Sequence, residues 1–295
     1  MYKIGIDLGG SKTEGGLLDE NLEILDRRRI PTPSNDYNEI VLSMVSMVTE
    51  FRSKVNGDVS IGIGFPGALS KTGLITHSNT PCLIGKSLKK DLEHYLKQKV
   101  SIENDSNCFA LSEALLGAGR NYDVVCGVIM GTGVGAGIVL NGKIHSGRNN
   151  FAGEWGHHSI NKNGNLCYCG RTGCVDSYIS GPSLELRWTE LTGRKDLLPK
   201  IIENLGEDEA NRWKFEFLEN FGIGIANMIN ILDPDVIILG GGLSNIPFLY
   251  DEGIKAVYNN VSKGIVETPI LKNNLGDASG FIGAAILELP INRFS

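Results

Sequence analysis

Ile4-Gly5-Ile6-Asp7-Leu8-Gly9-Gly10-Ser11-Lys12-Thr13 is a short apolar run that ends near one carboxylate and breaks into a glycine turn. The pattern recurs: Val124 to Met130 is apolar, Gly131-Thr132-Gly133 follows, and Val134 to Leu140 leads into Asn141-Gly142. β-prone runs of this length bounded by glycine read as strands, and Asn-Gly is a strong hairpin signal. The chain therefore holds two copies of a strand–glycine turn–strand unit, too few and too widely spaced for a solenoid. A duplicated domain with a ligand between its halves accounts for the repeat. A third turn, Gly240-Gly241-Gly242, follows the apolar strand Val236 to Leu239.

Glycines lack Cβ atoms, so backbone N–H groups in such turns can approach phosphate oxygens closely. Two of the three turns also carry hydroxyl residues. A Walker A loop requires Gly-x4-Gly-Lys-Ser/Thr, which no stretch supplies. Gly131 to Ala136 matches the loose dinucleotide fingerprint, but that fingerprint must open a helix, and here an alternating strand follows.

Between the repeats, Tyr37 to Lys54 has helical periodicity, with Ile40, Val41, Met44, Val45, Val48 and Phe51 on one face and Asn35 or Asp36 as N-cap. Val59 to Phe65 and Val100 to Glu103 read as strands, and a helix runs from Asp105 to about Leu116. About Ser183 to Asn230 is helical, and a last helix spans about Gly280 to Leu287.

Glu103-Asn104-Asp105-Ser106-Asn107 lies between a strand and a helix. A carboxylate there can take the proton of an attacking hydroxyl, or can simply cap the helix. Asp7, the sole acid of the first turn, is suited to organise Mg²⁺ through water. The densest constellation is Glu154-Trp155-Gly156-His157 followed by Cys167-Tyr168-Cys169-Gly170-Arg171-Thr172-Gly173-Cys174. His157, Cys167, Cys169 and Cys174 form a complete Cys₃His set, the pattern of a closed structural zinc site. Of the six cysteines, Cys108 and Cys126 read as small buried residues.

These motifs together resemble the ROK family of sugar kinases, over essentially the whole chain. Asp7 to Thr13 looks like the family's first phosphate motif, Gly131-Thr132-Gly133 like its second, and Leu239 to Gly242 like its adenosine segment. The resemblance implies an actin-like ATPase (ribonuclease H-like) α/β fold of two domains, with duplicated β-hairpin phosphate loops and an interdomain cleft. The expected domains are residues 1–117 plus about 277–295, and 118–276. It further implies ATP and Mg²⁺ bound through Asp7, Gly9, Gly10, Lys12, Thr13, Gly131, Thr132, Gly133, Gly240, Gly241 and Gly242. Asp105 becomes the general base and Asn104 a sugar ligand. Gly64-Phe65-Pro66-Gly67 resembles the turn that lines the sugar pocket, with Asn79 as a further contact. His157 both holds zinc and orients the sugar, beside Glu154. The family places Glu two residues after the last cysteine as a sugar ligand; this chain has Asp176.

Within the family, Trp155 and Cys167-Tyr168-Cys169 lean towards fructokinases and mannokinases, whereas Asn107 to Glu113 leans towards amino-sugar kinases. The expectation is an ATP-dependent hexose kinase of the fructose/mannose type acting on the 6-hydroxyl, with an N-acetylglucosamine or N-acetylmannosamine kinase as alternative. A homodimer is implied by the resemblance alone.

The net charge of −6 disfavours a nucleic-acid partner, since such binding relies on clustered cations. No apolar run reaches the roughly 20 residues of a membrane helix, and no signal peptide fits the opening, so the expected compartment is the cytoplasm. Asp7 comes too early for a preceding winged helix, which disfavours a sugar-responsive regulator. The zinc set and the Asn104-Asp105 pair disfavour an actin-like filament protein or chaperone.

Overall fold

The computed structural model describes residues 1–33, 35–206, 208–262 and 264–289. The chain forms two compact units: Met1–Arg120, Gly137–Ala152 and Leu275–Ser295 make the first, and Asn121–Ala136 with Gly153–Asn274 the second.

In the first unit, β1 (Tyr2–Leu8), β2 (Lys12–Leu18), β3 (Ile24–Pro31), β4 (Val59–Phe65) and β7 (Ser101–Asn104) form a sheet in the order β3-β2-β1-β4-β7, and β5 (Ala68–Leu69) pairs with β6 (Ile75–His77). β1 and β2 are antiparallel, with Leu8 opposite Thr13 across the first glycine turn. β1, β4 and β7 are parallel, in the register Asp7↔Gly64 and Gly64↔Glu103. Edge strand β3 carries Arg27-Arg28-Arg29. Arg27 and Arg29 pair with Glu14, and Arg28 with Glu50. A charged edge of this kind resists pairing with another chain.

Helix α1 (Tyr37–Arg52) starts at Asp36, whose side chain accepts from the Asn38 and Glu39 N–H groups. Its buried face is Ile40, Val41, Met44, Met47, Val48 and Phe51. Met47 joins the face because the i, i+3, i+4, i+7 rows continue from Ile40 through Met44 and Met47, and the expected Val45 packs on the same core partly buried. This face joins Ile4, Ile6, Ile61, Ile63 and Phe65 from β1 and β4, with Leu88 and Leu92 of α2 (Leu88–Leu96), in one core cluster.

After β7 comes α3 (Asp105–Leu115). Strands β8 (Val124–Met130), β11 (Val236–Gly240) and β12 (Ile270–Lys272) lie parallel in the order β8-β11-β12 in the second unit. β9 (Val134–Leu140) begins in the second unit and ends in the first, where it pairs with β10 (Lys143–Ile144). Asn141 and Gly142 both adopt positive φ, as the Asn-Gly hairpin predicts.

α4 (Asp176–Ile179) precedes the stretch expected to be helical, about Ser183 to Asn230, which divides into α5 (Gly181–Thr192), α6 (Leu198–Glu203) and α7 (Asp208–Leu232). α5 stops at Gly193, which takes the left-handed conformation a C-terminal cap needs. Trp188, Trp213, Phe217 and Phe221 then meet in sequence, edge-to-face or tilted, through α5 and α7. α8 (Glu252–Asn260) packs on α7. Among the described residues no helix is long and apolar enough to cross a membrane.

The last helix, α9 (Ser279–Ala285), packs on the first sheet, and glycine sets its distance. A Cβ at Gly5 would lie 1.8 Å from the Phe281 carbonyl oxygen, and one at Gly62 1.8 Å from that of Ala284. Gly62→Ala should therefore push α9 off the sheet and cost about 3 kcal/mol, read as the shift in a denaturant midpoint at constant slope. An unchanged midpoint would show that the helix can slide without loss.

Candidate active site

In the first unit the expected residues gather at the carboxyl ends of β1, β4 and β7. Open α/β sheets bind ligands at these ends. The first turn is closed by the Gly9 N–H donating to the Lys12 carbonyl at 3.0 Å. Thr13 is fully buried and its hydroxyl lies 2.8 Å from that of Thr32, which donates to the Gly9 carbonyl at 2.8 Å. Thr13 thus supports the turn from beneath, while Ser11 and Lys12 are exposed. Thr32 belongs to the Pro31-Thr32-Pro33 stretch that resembles the amino-sugar and fructose/mannose branch of the family, but its support of this turn was not legible, because its partner lies 19 residues away. Asn79 comes to the same turn: its Oδ1 would be 3.7 Å from a Cβ on Gly10.

The N-cap of α3 is Asn104. Its Oδ1 accepts from the Ser106 and Asn107 N–H groups at 2.9 and 3.1 Å, and its Nδ2 donates to the Gly67 carbonyl at 3.0 Å. Asp105 thereby falls in the first turn of the helix, and its Oδ1 accepts from the Ser106 N–H at 2.7 Å. Gly67 has φ of 137°, and a Cβ there would lie 2.0 Å from the His77 carbonyl oxygen, so only glycine lets this turn close against Asn104. Glu103 accepts from the Asn107 side chain at 3.1 Å.

Asp7 adjoins this cluster. Burial pushes its carboxyl up from 3.8 to about 7; the Asp105 and Glu14 carboxylates add to the rise, and Lys12 and Arg29 oppose it. A carboxylate held at such cost beside other acids is well placed to gain from a cation.

In the second unit, two turns sit at the carboxyl ends of neighbouring parallel strands. The Gly131 N–H donates to the Gly133 carbonyl at 2.9 Å, and the Gly181 N–H to the Gly131 carbonyl at 2.8 Å. Gly240 ends β11 opposite Ile129 of β8. At Gly241 the chain turns into Gly242–Asn245, where the Ser244 hydroxyl donates to the Gly241 carbonyl at 2.7 Å.

The metal-ligand candidates converge as well. The donor atoms of His157, Cys167, Cys169 and Cys174 all lie within 4.8 Å of one another. Cys167 Sγ is 3.6 Å from His157 Nδ1, and Cys169 Sγ is 3.7 Å from Cys174 Sγ. A tetrahedral zinc ion at its usual bond lengths has S···S edges of about 3.8 Å and S···N edges of about 3.6 Å, so the donors fit it. Burial pushes the Cys167 thiol up to about 12 and raises that of Cys174. Burial also raises the Cys169 thiol, but hydrogen bonds from the Arg171 N–H and the two neighbouring thiols outweigh it, so this thiol sits below its ordinary value.

The second imidazole nitrogen of His157 lies 3.0 Å from the Tyr168 hydroxyl. Glu154 and His157 begin and end one 3₁₀ turn, fixed by the Trp155 indole N–H donating to the Gly224 carbonyl at 2.9 Å. The next residue, His158, places Nδ1 2.6 Å from the Trp155 carbonyl oxygen and Nε2 3.3 Å from Asn227 Nδ2. Asp176 is 5% exposed and accepts the Val134 N–H at 2.7 Å. Burial raises its carboxyl and that N–H partly offsets the rise.

A family model described as "ROK family" matches residues 3–290. The chain belongs to the ROK family. A Vibrio atlanticus N-acetyl-D-glucosamine kinase is 39% identical over 302 residues, covering 98% of this chain and 100% of the relative. A Haemophilus influenzae protein of the same name is 38% identical, covering 98% and 99%. Among solved structures, a ROK family glucokinase from Streptomyces griseus in complex with glucose and AMPPNP superposes with a TM-score of 0.84 at 29% identity, covering 97% of this chain and 99% of that one. The fold is thus the actin-like ATPase fold of the ROK sugar kinases, and this ROK protein is an ATP-dependent sugar kinase.

Asp7 also predicts a pH dependence for the ligand-free protein. With its folded value at about 7, above the ordinary 3.8, the native state binds more protons than the unfolded chain between those values. This contribution makes stability fall as pH rises through the window and level off above it. Asp7→Asn, which cannot ionise, should therefore raise the thermal midpoint more at about pH 8 than at about pH 5, measured without metal or nucleotide. An equal gain at both would show that Asp7 keeps an ordinary carboxyl.

Proposed function

We propose that this ROK protein is an N-acetyl-D-glucosamine kinase that transfers the γ-phosphoryl group of ATP to the sugar 6-hydroxyl. The observation that carries the sugar assignment is the 39% identity, over essentially the whole of both chains, to a kinase of that name. The fructose/mannose expectation rested on Trp155 and Cys167-Tyr168-Cys169, a few residues of one loop region. It gives way to the amino-sugar alternative, which the full length of the chain favours.

Asp105 takes the proton of the 6-hydroxyl as that oxygen forms its bond to the γ-phosphorus, and the bond to the β–γ bridging oxygen breaks to release ADP. Asn104, fixed between the start of α3 and the Gly67 carbonyl, holds Asp105 at the strand end; Asn104, Gly67 and Asn79 are the sugar contacts of the first unit, and Glu154 and His157 those of the second. Backbone N–H groups of the turns at Gly9-Gly10 and Gly131-Thr132-Gly133 receive phosphate oxygens, and Gly240 to Gly242 borders the adenosine. Lys12 adds a cation to the first turn.

Asp7 would help hold Mg²⁺ brought in with the nucleotide, and that ion would supply charge neutralisation. A cation there favours the ionised Asp7 carboxyl against the burial that raises it. His157, Cys167, Cys169 and Cys174 would hold zinc as a structural ion, joining the cysteine loop to the turn that carries Glu154.

A coupled ADP-release assay across N-acetylglucosamine, N-acetylmannosamine, fructose, mannose and glucose tests this assignment. N-Acetylglucosamine should give a kcat/KM about tenfold or more above the others, a transition-state difference of about 1.4 kcal/mol. Fructose or mannose in first place would restore the earlier expectation. Asp105→Asn should cut kcat by about 10³-fold while sugar affinity stays within a few-fold. Near-wild-type turnover in that variant would remove Asp105 from the base role.

A further inference from the structure

We infer that the zinc loop is the mount of the second phosphate turn, and that Asp176 is the positioning residue joining them. This rests on the reading of Gly131-Thr132-Gly133 as a nucleotide turn and of the Cys₃His set as a zinc site. Val134, the first residue after the turn, is hydrogen-bonded through its N–H, and closely approached at its carbonyl, by residues beside the metal donors. Its N–H donates to Asp176 Oδ2 at 2.7 Å, and Asp176 lies two positions after Cys174. Its carbonyl oxygen lies where Gly156, the neighbour of His157, has no side chain: a Cβ there would be 1.9 Å away.

Two further bonds frame the same segment. The Ala136 N–H donates to the Gly153 carbonyl at 3.1 Å, and the Gly181 N–H, at the start of α5, to the Gly131 carbonyl at 2.8 Å. The loop itself is joined to the 3₁₀ turn by the Val175 N–H donating to the His158 carbonyl at 3.1 Å. A tetrahedral ion on His157 and Cys174 fixes the two arms that grip Val134, and so fixes the direction of the turn's own N–H groups. The side chain at position 176 then acts on the nucleotide, through the backbone, and not on the sugar.

The test is calorimetric binding of AMPPNP with Mg²⁺ to the zinc-loaded full chain without sugar, and of the sugar without nucleotide, with zinc content measured by mass spectrometry. Asp176→Ala should weaken AMPPNP about tenfold and leave sugar affinity and zinc content unchanged. Asp176→Asn keeps an acceptor oxygen for the Val134 N–H and should recover to within about threefold of wild type. Asp176→Glu carries its carboxylate one methylene too far and should also weaken AMPPNP. Removing zinc from the wild-type chain should weaken AMPPNP as Asp176→Ala does.

Weaker sugar binding with unchanged AMPPNP in Asp176→Ala, or tighter sugar binding in Asp176→Glu, would make Asp176 a sugar ligand and overturn the inference. If wild type binds no AMPPNP, the kinase reading itself fails; if wild type and Asp176→Ala bind it equally, only this inference fails. Should the alanine variant not fold, the Asn and Glu variants decide by the same comparison.

Discussion

The parallel register Asp7↔Gly64↔Glu103 is the contact on which the chemistry of the first unit depends. Hydrogen bonding between parallel strands fixes which residues reach the carboxyl edge together. Here it delivers the half-buried Asp7, a glycine-lined turn and the Asn104-Asp105 pair side by side. Because α9 lies against the bare backbones of Gly5 and Gly62, the strands cannot slide without driving a helix carbonyl into a neighbour. The packing of small residues far from any ligand thus sets the spacing of the acids.

That spacing has an electrostatic cost. Asp7 and Asp105 are near enough to raise the Asp7 carboxyl, and burial raises it further. Such a group is poorly matched to its surroundings in the empty protein and well matched to a bound cation. Strain of this kind at an otherwise well-packed edge is how a fold stores binding preference. Glu113 is fully buried, and its carboxyl group accepts from the Leu275 and Ala118 N–H groups and from the Ser279 hydroxyl.

The second unit follows the same logic with a different support. Its turns also stand at the ends of parallel strands, but the residues that hold Val134 belong to the cysteine loop. A short glycine turn has few contacts of its own. Its conformation is borrowed from whatever grips its ends, and here the grip comes from residues adjoining the Cys₃His donors. Elsewhere in this unit Trp188, Trp213, Phe217 and Phe221 pack ring against ring through α5 and α7.

Much was legible in the sequence because it depends on local rules. Glycine after an apolar strand needs only the chain's own geometry, and the duplicated unit, the Asn141-Gly142 hairpin, the Asp36 cap and the spacing of the cysteines are all of this kind. The buried face of α1 was legible except for Met47, since periodicity names the rows but not how wide the neighbouring core is. Tertiary structure alone decided the rest. It made Asn104 and not Asp105 the helix cap, because Gly67 holds the other end of the Asn104 side chain. It set Thr13 under its turn by way of Thr32, gave the second nitrogen of His157 to Tyr168, and brought Asp176 to Val134 across 42 residues. Each of these is a hydrogen bond between groups distant in the chain. No propensity or spacing encodes such a partner, because the pairing is set by which surfaces the core presses together.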